Sequence, residues 1–413
     1  MARKRNFDED EVLDLAMDVF WRSGYEGSSM AELTSAMGLS APSIYGAFHS
    51  KRGLFDAVLD RYTDRQSEQG AWILAAPTAR EVAERMLFRP ADELNESNLP
   101  PGCLLIQAGL TAGRENHDVP KNLAQRRRAG ELALRDRFER AVAEGDLPGD
   151  ADAAALASFV VAVFGGLAIQ AAAGASRNEL RGIAERAMAG WPAPTAGMQR
   201  PQTAQPEAVL VDSNANSVGR GRPREFNEAD ALNAAMLVFW RKGYEGASLT
   251  DLTDAMGITR PSLYAAFGNK ESLFRQALDL YEREKLSYVA ESLGAPTARE
   301  VAERLLRSAL QRQVSACDPH GCLGVLTSMQ LSDDARGIRE EVAARSALGT
   351  AAYVARFERA KAEGDLPQDA DPLGLARMLL AVTQGLIVQS SVGASPAELH
   401  ALVDSALALW PSS

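Results

Sequence analysis

The chain has 413 residues, 46% hydrophobic and 24% charged, with 6% aromatic content and a formal net charge of −11. That composition excludes a disordered or fibrous chain, and an alanine-rich sequence poor in β-branched and aromatic runs argues for helices over sheets. Three cysteines are too few, and odd in number, for a disulfide framework, so a reducing compartment, the cytoplasm, is expected.

The basic start at Arg3, Lys4 and Arg5 runs into acidic Asp8 to Glu11 instead of an apolar stretch, so no signal peptide is expected. A first helix is predicted over 8–22, with Val12, Leu15, Ala16, Val19 and Phe20 at helical spacing and Gly24 ending it. Ser29 is placed to cap a helix over Met30–Met37, Gly38 stops that helix, Ser40 caps the next, and Pro42 suits a first helical turn. Two short helices and a tight turn result, with Leu33, Met37, Leu39, Ile44 and Phe48 as head core. After Lys51 the pattern lengthens into amphipathic helices broken at 76–78, 100–102 and 145–148. The stretch 153–175 is almost wholly apolar and as long as a bilayer core demands.

Residues 193–219 are rich in Pro, Ala, Gln and Ser and read as a tether. Its 27 residues reach roughly 30 Å as a coil and about 90 Å fully extended. Beyond it the sequence starts again. Residues 220–411 repeat 1–192 at a constant offset of 219: Phe20-Trp21-Arg22 returns as Phe239-Trp240-Arg241, Gly102-Cys103-Leu104 as Gly321-Cys322-Leu323, and Trp191-Pro192 as Trp410-Pro411. A period this long implies two whole domains, each with its own core. The second copy also corrects the apolar stretch, because Arg377, Thr383, Gln384 and Gln389 stand in the corresponding run; these are costly in lipid and tolerable in a packed helical interface. No membrane contact is expected.

The all-α chain therefore divides into a head at 1–52, a body at 53–192, the tether at 193–219, a second head at 220–271 and a second body at 272–413. The run Gly24-Tyr25-Glu26-Gly27-Ser28-Ser29, then Gly38-Leu39-Ser40-Ala41-Pro42-Ser43-Ile44-Tyr45, then Phe48-His49-Ser50-Lys51 with Leu54-Phe55, resembles the N-terminal domain of the TetR family of bacterial repressors, and residues 243–274 resemble it again. The resemblance implies a helix-turn-helix reader of double-stranded DNA on each head, and a body whose last two long helices pair copy against copy while earlier helices enclose an effector pocket. By position it places Ala41, Pro42, Ser43 and Gly46 at the bases in the first head, and Arg260, Pro261, Ser262 and Ala265 in the second. Tyr45, Tyr264, Lys51 and Lys270 are then expected to grip the phosphate backbone, with His49 as an added contact.

The net acidity opposes the usual basic footprint of a DNA binder. Basic arms ahead of each head, Arg3, Lys4 and Arg5, then Arg222 and Arg224, are placed to supply that footprint locally, with binding steeply sensitive to salt. In the bodies, 151–173 with 176–189 and 372–392 with 396–409 are expected to pack across the copies, and Gly165, Gly166, Ala168 and Gly385 would let helices approach closely. The expected assembly is a monomer with an intramolecular pseudo-dimer; a domain-swapped dimer is the rival.

Cys103 and Cys322 each begin a body helix, where a helix N-terminus favours the thiolate, so both are candidate redox or electrophile sensors beside the plainer role of small packed residues. Cys317, His320 and Cys322 are soft ligands without a fourth, and neither a metal nor a cofactor is expected. The four histidines, at 49, 117, 320 and 400, do not recur between copies, and no nucleophile with a base partner appears, so an enzyme is not expected. The favoured function is a one-component repressor released by an unknown small-molecule or reactive effector from an operator with two unequal half-sites. The rival is a ligand-binding or sequestering protein that has lost specific DNA binding, with Gly46-Ala47 and Ala265-Ala266 as its sequence support. Met86, Phe88, Leu110, Phe138, Leu305, Leu310 and Phe357 are read as body core.

Overall fold

The computed structural model describes residues 7–93, 100–111, 118–192, 227–315, 318–319, 321–329, 336–391 and 393–410. Among them every regular element is a helix. The first half runs α1 (Glu9–Gly27), α2 (Met30–Met37), α3 (Ala41–Phe48), α4 (Lys51–Leu74), α5 (Ala79–Glu93), α6 (Leu104–Thr111), α7 (Asp118–Glu144), α8 (Ala153–Ala172) and α9 (Arg177–Ala189). The second runs α10 (Glu228–Gly246), α11 (Leu249–Met256), α12 (Arg260–Phe267), α13 (Lys270–Lys285), α14 (Ser287–Leu293), α15 (Ala298–Val314), α16 (Leu323–Ser328), α17 (Arg336–Ala362), α18 (Pro372–Ser391) and α19 (Pro396–Ala408). The extra element arises because the counterpart of continuous α4 is broken at Leu286, a break the sequence did not announce with Gly or Pro.

The heads form as their punctuation dictates. Asp8 accepts from the amides of Asp10 and Glu11 at the start of α1, and three acidic residues in that first turn face the positive end of the helix dipole. Gly24, at φ +69, kinks α1 without ending it, and one more turn carries Tyr25 into the core. The buried stripe of α1 is Val12, Leu13, Ala16, Met17 and Phe20; Leu15, expected in the core, lies roughly opposite that stripe and is exposed. Ser29 and Ser248 make capping boxes at α2 and α11, with Glu32 and Asp251 reaching back. Gly38 and Gly257 close these helices in the left-handed conformation. Leu33, Met37, Ile44 and Phe48 are buried as expected, and Leu39 is half-buried against them.

Each body is fastened by the same three devices. Arg137 donates to the carbonyls of Ala76 and Pro77 at 2.9 and 3.1 Å, and Arg356 to those of Ala295 and Pro296 at 2.9 and 2.7 Å. Asp146 and Asp365 accept from the first amides of α5 and α15, those of Ala79 and Ala298, at 2.5 and 2.6 Å. Trp191 and Trp410 close the bodies edge-on against Phe138 and Phe357, each pair 5.5 Å apart. Phe138, Leu305, Leu310 and Phe357 are buried, Met86 and Phe88 are half-buried, and the Leu110 side chain lies outside the described residues.

The halves meet through α8, α9, α18 and α19. Helices α8 and α18 cross at Gly166 and Gly385, where a Cβ would stand 2.3 Å from the Ala381 oxygen and 2.0 Å from the Ala162 oxygen. Glycine is required there because the two backbones touch. Ser158 Oγ donates to Gln389 Oε1 at 2.9 Å, and Gln389 Nε2 donates to the Ser158 carbonyl at 2.8 Å, in the buried layer. Arg377 pairs with Glu179 and Arg128 with Glu398 across the halves. Both α8 and α18 are long and apolar enough to cross a bilayer, but 78% of the apolar window of each is buried within the protein. A second apolar cluster joins the two head cores through α6 and α16, including Leu104, Ile106, Leu323 and Leu326.

Candidate nucleic-acid interface

The third helix of each head is short, capped and amphipathic. Ser40 and Thr259 accept from the amides of Ser43 and Ser262, and Pro42 and Pro261 occupy the first turn, where a missing N–H costs nothing. Ile44 with Phe48, and Leu263 with Phe267, anchor the inner faces. The outer faces carry the residues singled out above. Pro42, Ser43, Tyr45, Gly46 and His49 are exposed, Ala41 is half-buried, and Arg260, Pro261, Ser262, Tyr264 and Ala265 are exposed. Tyr45 and Tyr264 stand out at 46% and 49% exposure, large for aromatic rings in a folded head. An added Cβ at Gly46 would meet nothing within 4 Å, so that stretch of α3 offers a flat approach.

Arg260 does not project freely. Its Nη2 donates to Thr250 Oγ1 at 2.9 Å, which lays the guanidinium back toward α11. Lys51 and Lys270 begin α4 and α13 as expected, and each ammonium lies over a tyrosine ring, Tyr25 at 4.7 Å and Tyr244 at 4.6 Å. Burial lowers the pKa of both lysines, against the raising pull of Glu26 and Glu32 on Lys51 and of Glu245 and Asp251 on Lys270. A partly desolvated cation held in place gains more from an approaching phosphate than a mobile, hydrated one. The basic arm residues Arg3, Lys4, Arg5, Arg222 and Arg224 lie outside the described residues.

Behind each head sits a Gly-Cys turn. Cys103 is buried and receives a 3.5 Å hydrogen bond from the Tyr62 hydroxyl, and burial, then the nearby thiol, raises the Tyr62 pKa. Tyr62 packs edge-on against Trp21 at 5.3 Å, which links this turn to α1. Cys322 is half-buried and borders a narrow cleft of ≈ 20 Å³, room for about one water. Tyr281 and Trp240 repeat the aromatic pair at 4.7 Å. The sulfurs thus sit against aromatic residues that touch the head helices. Cys317 and His320 lie outside the described residues, and among those described no group of three His, Cys, Asp or Glu side chains is placed to hold a metal.

Comparison with known proteins decides the family. The family described as "Bacterial regulatory proteins, tetR family" matches at residues 12–58 and again at 231–277, and "Tetracyclin repressor-like, C-terminal domain" matches at 87–188. The HTH-type transcriptional repressor ComR of Escherichia coli (strain K12) is 35% identical over 193 residues, 46% of this chain and 92% of ComR. The chain belongs to the TetR family. YezE of Bacillus subtilis (strain 168), an HTH-type transcriptional regulator, is 34% identical over 195 residues, 46% of this chain and 98% of YezE. The TetR family regulator CifR, solved as a cysteine mutant with 26-base-pair double-strand operator DNA, is 40% identical over 46% of this chain and 100% of its own, with a TM-score of 0.45. Each whole relative thus corresponds to about half of this chain, which is a tandem of two TetR units. These relatives are transcriptional regulators and not enzymes.

Several features of the TetR tandem escaped the sequence reading. The Arg260–Thr250 bond joins residues ten apart across the turn, and no spacing rule picks it out. Asp14 holds Arg61 at 2.6 Å and Arg65 at 2.6 Å, clamping α1 to α4 in the first head; the second has Asn233 and Leu280 at the positions of Asp14 and Arg61, and Leu280 is buried. Comparing the two copies position by position for gained and lost charge would have found that difference.

Proposed function

We propose that the protein is a one-component repressor, acting in the cytoplasm, whose two halves serve as the two protomers of a TetR dimer within one chain. In this reading heads 1–52 and 220–271 bind adjacent half-sites of one operator, joined by bodies 53–192 and 272–413 and by the tether 193–219. The observation that carries it is the pairing of two outward-facing third helices on one shared interface in which α8 and α18 touch at glycine. Pro42, Ser43, Tyr45, Gly46, Pro261, Ser262, Tyr264 and Ala265 form the reading and gripping surface, with Ala41 at its edge, Lys51 and Lys270 as phosphate clamps, and His49 at the helix end. The arms Arg3, Lys4, Arg5, Arg222 and Arg224 supply further phosphate contacts.

Arg260 opposite Ala41 makes the half-sites unequal. Arginine can donate two bonds to guanine, whereas alanine offers a methyl-sized apolar contact, a difference of about 1–3 kcal/mol for a good bidentate pair. On DNA the guanidinium exchanges the Thr250 hydroxyl for a base edge. An effector, small or thiol-reactive, entering near Cys103 or Cys322 shifts the heads away from a spacing of one DNA turn, about 34–36 Å, and releases the operator.

Footprinting on DNA flanking the protein's own gene, with stoichiometry from the same titration at fixed salt, tests the reading. One chain protecting one site, with bases of unequal weight in the two halves, is the expected result. A folded chain giving no protection at low salt would remove it in favour of a ligand-binding protein, and light scattering showing dimers would replace the intramolecular pairing with a swapped one.

A further inference from the structure

The two reading surfaces carry different charge. In the second head Lys242 of α10 pairs at 2.8 Å with Asp251, in the first turn of α11. The neighbouring residue Thr250 holds Arg260, so Lys242, Asp251 and Arg260 make one patch beside α12. Asp251 and Glu245 are also close enough to act on the Lys270 ammonium. The first head has the carboxylates of this patch but lacks two of its cations. Glu26 and Glu32 act on Lys51 in the same way, while Ser23 and Ala41 stand at the positions of Lys242 and Arg260. One lysine therefore faces two glutamates in the first patch, and three cations face two carboxylates in the second.

The surroundings do not restore the balance. Arg22 is held by Asp18 through hydrogen bonds of 2.8 and 2.9 Å, whereas Leu237 stands at the place of that carboxylate below exposed Arg241. Beside the lysines, the pairs Arg52–Asp56 and Glu271–Arg275 run in opposite order and cancel within each head. Behind the basic arms, α1 opens with Asp8, Glu9, Asp10 and Glu11, of which Asp10 is offset by Arg61, and α10 opens with Asn227, Glu228 and Asp230. The arms themselves carry three basic residues each, Arg3, Lys4 and Arg5 against Arg220, Arg222 and Arg224. Over the heads without arms, residues 8–52 have three Lys or Arg against eight Asp or Glu, and residues 227–271 have four against six.

We propose that the second head is the anchor of the chain on DNA: it docks first, carries most of the phosphate affinity, and fixes one orientation on the operator, while the first head closes onto its half-site afterwards. The inference rests on the reading of both heads as DNA binders and adds an order and a direction to it. Phosphate contacts dominate affinity for duplex DNA, and local charge steers the encounter. A surface with a surplus of cations meets the backbone at a distance where a surface with a surplus of carboxylates is repelled. A two-fold dimer has no preferred end on a palindrome. This tandem has one, set by Lys242 and Arg260.

The test is fluorescence anisotropy of the full chain on a labelled random-sequence duplex of about 14 base pairs, too short for two heads set one DNA turn apart. Lys51 and Lys270 lie over their tyrosine rings at 4.7 and 4.6 Å, so removing either has the same structural cost and a difference between the variants reports on DNA. Lys270→Gln is expected to weaken binding several-fold, and Lys51→Gln to leave it unchanged. The double variant Lys242→Ser, Arg260→Ala, which gives the second head the residues of the first, should weaken binding at least about tenfold and lower the salt slope by about 2. The reverse exchange, Ser23→Lys with Ala41→Arg, should strengthen binding and make Lys51→Gln costly in that background, a gain that misfolding cannot produce. Equal losses from Lys51→Gln and Lys270→Gln, or a reverse exchange without effect, would overturn the anchor while both heads remain DNA binders. No binding at low salt by the unaltered chain or by the reverse exchange would remove the DNA-binding reading itself, and the anchor with it.

Discussion

The two heads share a core and the gripping residues Pro42/Pro261, Ser43/Ser262, Tyr45/Tyr264 and Lys51/Lys270, and differ in their fasteners and in part of the reading face. Phe20, Ile44, Phe48 and Phe55 are matched by Phe239, Leu263, Phe267 and Phe274, all buried. The fasteners differ. The first head joins α1 to α4 by the Asp14–Arg61–Arg65 clamp, whereas the second buries Leu280 at the Arg61 position and ties α10 to α11 through Lys242 and Asp251 at 2.8 Å. The reading faces differ too, Ala41 against Arg260 and His49 against Gly268. A duplicated unit freed from self-pairing keeps what packing demands and varies what only the surface sees, because volume changes in a close-packed core are costly and surface changes seldom are.

The largest effect expected from breaking the likeness of the halves lies at their shared crossing. Gly385→Val would drive a side chain into the Ala162 backbone, 2.0 Å from the added Cβ, and Gly166→Val into Ala381. Overpacking of this kind costs about 1–3 kcal/mol or more, and here it also parts the halves. Thermal unfolding and operator binding should both fall. Gly165→Ala, whose nearest contact would be 3.5 Å, should be tolerated, and equal damage from all three changes would contradict a crossing fixed by Gly166 and Gly385.

Next in size is the reading face. Arg260→Ala should weaken operator binding by about 1–3 kcal/mol and relax base preference in one half-site, leaving the other unchanged. Thr250→Ala removes the hydroxyl that holds the guanidinium back and should leave affinity equal or higher. Loss of preference in both half-sites upon Arg260→Ala would show that the heads do not read separate halves.

The thiols offer a kinetic contrast. Each thiol faces a tyrosine hydroxyl, Tyr62 at Cys103 and Tyr281 at Cys322, but Cys322 is half-buried beside a narrow cleft, while Cys103 is 7% exposed. Alkylation followed by mass spectrometry should modify Cys322 well before Cys103, since access gates the reaction. Cys322→Ser should protect DNA binding from alkylation if this thiol is a sensor, and an equal loss in the Cys103→Ser, Cys322→Ser double variant would return both to plain packing.

Much of this molecule was legible because its punctuation is local. Ser29, Gly38, Ser40 and Pro42 act within one turn of where they stand; Arg377 and Gln389, polar residues in the second copy of the apolar stretch, spoke against a bilayer, and the family resemblance then implied that the last helices form the interface. What was not legible depends on contacts distant in sequence. Leu15 reads as core by spacing but falls outside the stripe set by Leu13, Met17 and Phe20. The break at Leu286 has no breaker residue. The Asp14 clamp joins residues 47 positions apart, and the cleft at Cys322 exists because Arg312 and Tyr288 converge from two helices.

Acid should reveal the clamp. The Arg61 hydrogen bond, with Arg65 beside it, holds the Asp14 pKa below the ordinary carboxylate value despite the opposing effect of burial. A group whose folded pKa is depressed contributes stability that is present above the unfolded value and lost as pH falls through the folded one. The loss should therefore appear below pH 3.8, and Asp14→Asn should flatten that part of the stability profile while lowering stability at neutral pH modestly, as befits a half-exposed pair. An unchanged acid limb would assign acid sensitivity to other carboxylates.

The smallest expected effect separates structure from contact at a single residue. His49 ends α3 at φ +67, a conformation that side chains rarely adopt, and the matching residue in the second head is Gly268 at φ +75. Relieving such strain is worth about 1–3 kcal/mol, while a glycine adds roughly 0.5–1 kcal/mol of unfolded-state entropy. His49→Gly should therefore stabilise the fold slightly. If the imidazole also touches DNA, the same variant binds its operator more weakly despite melting higher, a divergence that packing alone cannot produce. Unchanged affinity with a raised melting temperature would leave His49 no part in the interface, and a lowered melting temperature would mean that the surrounding helix end has already accommodated the side chain.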